Sequence, residues 1–511
     1  MSLAVLSSCT LRGLQAVAVH VEVHIGRGLP AFSLVGSPGV EVRESRERVR
    51  AAILNSGYAF PDGRITVNLA PAELPKASGH FDLPIALGVL LASGQVATAD
   101  GHAPIVHHYL LCGELSLTGS IVATGSALAI GLSVVRGAQQ AGHAPVQLIL
   151  ARRDAQVAAQ VPGLVVFEAD TLAQVVCHLS GRGALQRAIA SAEPAQGGAA
   201  VPCLSEVRGQ LAARQALEVA AAGAHGLLMS GTPGVGKSML AQRLPGLLPP
   251  LTAEQALEVA ALHGLLDPGH APTVQAPFRA PHHGASMAAL VGGGLRIRPG
   301  EISLAHQGVL FLDELPEFDR RALEALREPL ETGQITVARA SGTCHFPARF
   351  QLVAAMNPCP CGWYGCPEGK PACRCTDEQV RRYRSRVSGP LLDRIDLHVR
   401  LAPERAWSEA GPGETSAAVR ARVCAARARQ WARQACLNSQ LQGAALEMHA
   451  PLDAESRALL QQAEKAWSWS ARSLQRTRRV ARTLADLERA PRVESRHVAQ
   501  AMQYRPESIC R

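Results

Sequence analysis

Leu227-Leu228-Met229-Ser230-Gly231-Thr232-Pro233-Gly234-Val235-Gly236-Lys237-Ser238, followed by Met239-Leu240-Ala241-Gln242-Arg243-Leu244, decides the fold around it. The first four residues read as a short buried strand. The next eight carry the complete Walker A spacing, and the last six continue as a helix. A strand, a glycine-rich loop and a helix N-terminus in that order make a phosphate cradle. The glycines let backbone N–H groups face the anion, and the helix start favours negative charge. Gly231, Thr232, Pro233, Gly234, Val235 and Gly236 are therefore expected to wrap the phosphates of ATP. Lys237 is expected to reach the β/γ-phosphates, and the Ser238 hydroxyl to hold Mg2+. A chance glycine-rich turn does not account for all of these spacings.

Downstream stretches supply the remaining parts of an ATPase. Val309-Leu310-Phe311-Leu312-Asp313-Glu314 reads as a buried Walker B strand with two carboxylates at its C-terminal end. Asp313 is expected to hold Mg2+ through water, and Glu314 to orient and polarise the attacking water. Phe350 to Asn357 is a third buried strand that ends in a polar residue, and Asn357 fits a sensor between γ-phosphate and Walker B. Leu391-Leu392-Asp393-Arg394-Ile395-Asp396 offers Arg394 as a cationic finger for a neighbour's site; a local Arg–Asp pair is the alternative. Arg472, in Ser470-Ala471-Arg472-Ser473, is expected to fold over the nucleotide. Arg479 competes for that role, and a solvated arginine is the alternative.

Working outward, 511 residues imply two to four domains. Residues 1–178 alternate strand-like and helical runs. Val17 to His24, Arg64 to Leu69, Gln147 to Leu150 and Leu164 to Phe167 read as strands; Val42 to Ser56 and Phe81 to Leu91 read as helices. Residues 179–203 read as an Ala/Gly/Gln-rich linker, 204–402 as a second α/β unit, and 403–511, after a break at Gly411-Pro412-Gly413, as an all-helical lid. No apolar run approaches the ~18–20 residues that span a bilayer, and the N-terminus lacks a signal-peptide pattern, so a cytoplasmic chain without membrane contact is expected. From Thr376 onward 24 Lys+Arg stand against 15 Asp+Glu, which accounts for the whole net charge of +9. That basic portion suits a polyanion such as nucleic acid; well-solvated helices are the alternative.

The motifs in this order resemble an AAA+ ATPase of the magnesium-chelatase-like clade, and more closely the ComM/YifB family of competence-associated proteins. The resemblance rests on Val42 to Arg50, Val67 to Ala72, Phe81 to Gly88, Phe278-Arg279-Ala280-Pro281-His282-His283, Pro299 to His306, and Asn357-Pro358-Cys359-Pro360-Cys361-Gly362. It departs at Ser37 and Gly39, where Leu and Asp are expected. The resemblance implies a Lon-protease-like α/β N-terminal domain, an AAA+ P-loop core and a chelatase-type helical C-terminal domain. It further implies a homohexameric ring that moves single-stranded and branched DNA. Such a helicase drives branch migration as incoming strands integrate by homologous recombination, alongside recombination proteins. It carries the ATPase roles onto Lys237, Ser238, Asp313, Glu314, Asn357, Arg394 and Arg472.

The resemblance implies an inserted hairpin facing the ring pore within Ala280 to Gly294, and Glu331 to Phe346 reads as a second β-hairpin expected to face DNA. Arg296, Arg298, Arg339 and His345 are candidates for phosphate contacts; packing between ring subunits is the alternative. Five cysteines crowd between Cys359 and Cys375. Cys359, Cys361, Cys373 and Cys375 are the candidate Zn2+ ligands, with Cys366 the spare; free thiols are the alternative. Rival functions are a chelatase-like or protein-remodelling ATPase and a Lon-like Ser–Lys peptidase. Against the peptidase, His80 occupies the position where the nucleophile aligns, and Ser78 lies two residues early.

Overall fold

The computed structural model describes residues 3–76, 79–98, 102, 104, 106–190, 201–267, 270–294, 297–339, 342–366, 371–402 and 413–505. Two sheets organise it. The first has eight strands in the spatial order Gln186–Arg187, Val166–Ala169, Gln147–Ala151, Tyr109–Leu111, Leu3–Arg12, Gln15–Gly26, Arg64–Ala70 and Ala31–Val35. Its centre is the hairpin Leu3–Arg12/Gln15–Gly26, in which Arg12 pairs with Gln15. Strict alternation buries Val19, Val21 and Val23 on one face and leaves His20 and His24 exposed on the other. Helices Val40–Asn55 and Asp82–Ala92 cover the buried face. The second is apolar nearly all round and only Leu91 escapes full burial, the pattern of a helix inside a core.

The second sheet is parallel throughout, in the order Phe278–Arg279, Val309–Leu312, Gln351–Met356, Leu227–Gly231, Leu397–Leu401. Parallel strands with both faces covered read as continuous apolar runs, and Val309–Leu312 and Gln351–Met356 are buried at every position. Since all five strands run the same way, one edge gathers their C-terminal ends and the opposite edge their starts.

From residue 413 onward the described residues form helices and no strand: Ser416–Gln434, Gly443–His449, Ala454–Trp467, Ala471–Leu487 and Ser495–Gln503. They dock on Leu211–Gly223, the helix before the Walker A strand. Arg427 and Gln430 donate to the Ala221 and Ala222 carbonyls, which the end of that helix leaves unpaired. Within the helical unit, buried Asp486 accepts from Arg433, Arg482 and Asn438.

The two sheets meet where helix Ala127–Ala141 packs on helix Ala253–Gly264, and Leu257, Ala260 and Ala261 join the first sheet's second core. Glu258 is shared there by Arg136 and by His306 Nε2 at 3.3 Å. The His306 bond, helped by Arg136, outweighs burial and holds the Glu258 carboxyl at about 2.

Some expectations shift. The linker expected over 179–203 begins with ordered chain, because Gln186–Arg187 pairs with Phe167 and Glu168 at the edge of the first sheet; its residues 191–200 lie outside the described residues, as do Gly411 and Pro412 of the expected break. The hairpin expected within Ala280 to Gly294 starts later. Ser286 caps a short helix, Met287–Val291, and the ribbon pairs Gly292–Gly293 with Arg298–Pro299. Ala288, Ala289 and Leu290 favour helix once a serine cap precedes them.

Two buried histidines make stability pH-dependent. Burial lowers His80 and His398 to about 4 each. An unfolded chain protonates them near 6.5, so their contribution is intact above that pH, declines as pH falls to about 4, and is constant below. At about 1.4 kcal/mol per unit the two together cost several kcal/mol. Thermal melts are expected to give a clearly lower Tm at pH 5.0 than at pH 7.5; equal values would contradict neutral burial of these rings.

Candidate nucleotide site

The C-terminal ends of three strands lie side by side, with Leu312 paired to Ala354 and Ser230 to Met356. Whatever follows each strand must therefore converge. After the first strand the loop turns through Gly234 (φ 77°) and Gly236 (φ 93°), and a Cβ at either would meet nothing within 4 Å. These glycines serve the backbone turn and leave an open cradle above it. Helix Lys237–Ala241 then begins, with Lys237 only 9% exposed. Its Nζ donates to the carbonyls of Gly231 (2.8 Å) and Thr232 (2.9 Å) and to Asn357 Oδ1 (3.0 Å). Burial lowers its pKa, while Asp313 and Glu314 oppose that effect.

Ser238 Oγ donates to Asp313 Oδ2 at 2.5 Å, and the Glu314 amide donates to Asp313 Oδ1 at 2.9 Å. Ser238, Asp313, Lys237 and Asn357 thus meet at one edge of the sheet. An ammonium, an open loop of N–H groups and a hydroxyl–carboxylate pair are the donor set that a triphosphate with Mg2+ requires. Glu314 takes φ 54°, a left-handed conformation that carries its carboxylate off the strand axis. There Oε2 lies 3.0 Å from His283 Nδ1. His283 ends the Phe278 to His283 motif, to which the sequence alone attaches no catalytic role. The available signal was a His-His pair directly after a strand that neighbours Walker B. That strand is anchored by a two-pronged bond from Arg279 to Glu301, at 2.6 and 2.7 Å.

Arg394 and Arg472 lie elsewhere. Leu397 pairs with Leu227, so Arg394 stands at the starting edge of the sheet, its carbonyl 3.6 Å from where a Cβ on Gly226 would sit. A five-residue strand, about 16 Å at 3.3 Å per residue, separates that edge from the phosphate loop. The Arg394 guanidinium bonds to Glu331 and, at 2.7 Å, to the Pro390 carbonyl. Arg472 is exposed and opens helix Ala471–Leu487. One turn on, Arg476 lies 3.5 Å from Asp396, and farther along Thr483 bonds His225 at 2.7 Å. These contacts pin the helix to the same starting edge, where Arg479 also has Asp396 as its counter-charge. Closure of Arg472 over the nucleotide of its own chain does not match this packing.

Beyond Asn357 the sulfurs of Cys359, Cys361, Cys373 and Cys375 all lie within 4.8 Å of one another, and Cys366 is not among them. Of the basic candidates, Arg298, Arg339 and His345 are exposed, and Arg296 lies outside the described residues. The hairpin Gln334–Arg339/Gly342–Pro347 and the ribbon at Gly292 adjoin, with the Arg339 guanidinium against Gly293. Against the first sheet, in the short 3-10 turn Gly79–Phe81, His80 is buried with Nε2 2.6 Å from the Cys9 carbonyl, and Ser78 lies outside the described residues. Lys76, also buried, donates to the carbonyls of Gly36 (2.9 Å) and Pro71. The loop holding Ser37 and Gly39 turns through Gly36 (φ 94°) and Ser37 (φ 57°), and a Cβ on Gly36 would lie 2.2 Å from the Leu69 carbonyl oxygen.

Sequence comparison supplies the family. A competence protein, ComM, of Haemophilus influenzae is 42% identical over 513 residues, covering 99% of this chain and 98% of that protein. The chain belongs to the ComM/YifB family. An uncharacterized YifB protein of Salmonella typhimurium is 45% identical over 515 residues, 99% of this chain and 97% of its own length. Family models reach the same clade in three stretches: subunit ChlI of Mg-chelatase over 21–146, magnesium chelatase subunit ChlI over 203–408, and its C-terminal part over 413–505. A magnesium-chelatase 38 kDa subunit of Rhodobacter capsulatus is 28% identical over 158 residues, 27% of this chain and 44% of that one. This ComM/YifB chain is therefore magnesium-chelatase-like, with a parallel-sheet core and a helical C-terminal region. No helix among its described residues is long and apolar enough to cross a membrane.

Proposed function

We propose that the chain is an ATP-driven DNA motor that assembles as a homohexameric ring, works in the cytoplasm and promotes branch migration of incoming single strands during recombination. The observation that carries the reading is the separation of Arg394 and Arg472 from the phosphate loop of their own chain. Arg394 and Arg472 of a neighbouring copy would complete the site, and repeating that head-to-tail contact would form a ring where the rotation closes. Residues 1–178 are taken as a Lon-protease-like domain without peptidase activity, 204–402 as the ATPase core, and 403–511 as the helical unit. DNA is favoured as the moved polymer by the adjoining basic hairpins of Arg298 and Arg339, and by the competence-named relative at 42% identity.

Bound Mg2+ would neutralise charge between the β- and γ-phosphates. Lys237 would exchange its carbonyl partners for phosphate oxygens, and the Ser238 and Asp313 oxygens, now bonded to each other, would hold the ion. Asn357, already bonded to Lys237, lies where it can register the γ-phosphate. Glu314 orients a water once its carboxylate leaves His283, and Arg394 and Arg472 from the adjacent subunit stabilise the transferring group.

ATP hydrolysis is to be measured with no DNA, with single-stranded DNA and with forked DNA, and is expected to rise severalfold with DNA. An unchanged rate on every DNA, with normal basal turnover, would remove the motor reading. Stimulation by a metalloporphyrin precursor instead would favour the chelatase-like reading that the family models keep in play.

A further inference from the structure

Between the sensor strand and helix Asp377–Arg384, residues 357–376 carry no helix or strand among those described. A segment of that length on an enzyme core needs something to hold it. The sulfur geometry supplies a candidate. Cys359 Sγ lies 3.4 Å from Cys361 Sγ and 3.7 Å from Cys373 Sγ, and Cys361 and Cys373 are 3.5 Å apart. These are non-bonded separations, since all four thiols are free. Four sulfurs around one ion at 2.3 Å define a tetrahedron with edges of about 3.8 Å. The 4.8 Å limit on all pairs fits that figure and is too tight for a multi-iron cluster, which spreads its thiolates around several metal atoms. The Tyr364 amide also donates to Cys359 Sγ at 3.3 Å. Four soft anionic ligands in tetrahedral array suit Zn2+.

The same segment touches the nucleotide site at two points. Cys359 follows Asn357 by two residues. Gly362 (φ 85°) packs so closely on the phosphate loop that a Cβ would lie 2.5 Å from Pro233 Cδ. Its far side is tied down as well: Gly365 O accepts from Arg400 at 2.7 Å, and Arg384 donates to Pro358 O at 3.3 Å while lying over the Tyr364 ring.

We propose that Cys359, Cys361, Cys373 and Cys375 bind one Zn2+ as thiolates, and that the ion braces the phosphate loop through Gly362 on Pro233. Binding releases the thiol protons to solvent and changes no oxidation state. The metal site stands on its own; the brace rests on the reading of Gly231 to Ser238 as an ATP site.

The test uses the full chain purified without chelator. Elemental analysis is expected to give about one zinc per chain. Exchange for Co2+ is expected to give the thiolate charge-transfer band in the near ultraviolet and the red ligand-field bands of a tetrahedral sulfur site. Cys373→Ser/Cys375→Ser should lose the metal, and Cys366→Ser should keep it. Protein that lacks zinc, stays metal-free after reconstitution, and reacts with Ellman's reagent at all four cysteines overturns the site; this readout needs no mutant to fold. For the brace, Gly362→Ala should keep its zinc yet bind a fluorescent ATP analogue roughly tenfold more weakly, because the new methyl displaces Pro233. Unchanged affinity in a zinc-loaded Gly362→Ala overturns the brace. A wild-type protein that holds zinc but binds no nucleotide overturns the ATP reading and the brace together, leaving the metal site supported.

Discussion

Glu314→Gln is expected to cut ATP turnover by about 10²–10⁴-fold while nucleotide affinity stays within a few-fold of wild type. The substitution keeps size and hydrogen-bonding reach, so the left-handed turn at residue 314 and the Asp313–Ser238 pair survive. What disappears is the negative charge that polarises water. Binding depends instead on Lys237, the loop amides and the Ser238–Asp313 pair, none of which changes. Single-turnover hydrolysis and equilibrium binding, measured on one preparation, separate the two effects. A variant that hydrolyses at more than a tenth of the wild-type rate would move the catalytic base elsewhere. DNA stimulation should vanish with the basal rate, since both draw on the same carboxylate.

The second large effect is expected at Arg394, and mixing gives it a signature that no local defect reproduces. Arg394→Ala alone should lose about 10³-fold or more of turnover, the scale of a missing cationic finger. Lys237→Ala alone should lose ATP binding. If sites are built between subunits, mixed rings contain some interfaces that pair an intact phosphate loop with an intact Arg394. The mixture should then recover a measurable fraction of wild-type activity from two dead parents. If Arg394 serves only to hold Glu331, its effect stays within one chain and mixing restores nothing. That contact makes a stability control necessary. Arg394→Lys keeps a charge for Glu331 but cannot reproduce the planar fork, so it should fold normally and remain slow.

Much of the nucleotide site was readable because its information is local. Gly231 to Ser238 fixes its own turn, and the four apolar residues before Asp313 bury their own strand. Asn357 needed only a third apolar run ending in a polar side chain. The strand Leu3–Arg12 was harder to see, since Ser7-Ser8-Cys9-Thr10 interrupts its alternation; Ser8 and Thr10 are nonetheless buried because this strand is central in the sheet. Contacts between distant segments left no trace in spacing. His283 on Glu314 and Arg394 on Glu331 join residues 31 and 63 apart. The docking of helix Ala471–Leu487 depends on Asp396 and His225, and a motif such as Ser-Ala-Arg carries no record of which edge of a sheet it will face.

Glu258 gives the molecule a mechanical property. One partner, Arg136, belongs to the first sheet's helix, and the other, His306, stands three residues before the Walker B strand begins at Val309. His306 Nδ1 also accepts the Arg349 amide at 3.0 Å, two residues before the sensor strand begins at Gln351. Two stiff strands therefore share one root, and their tips carry Asp313 and Asn357. They behave as a pair of pushrods seated on a single tappet. A shove on the first sheet, if passed on through Arg136 and Glu258, would reach both tips together.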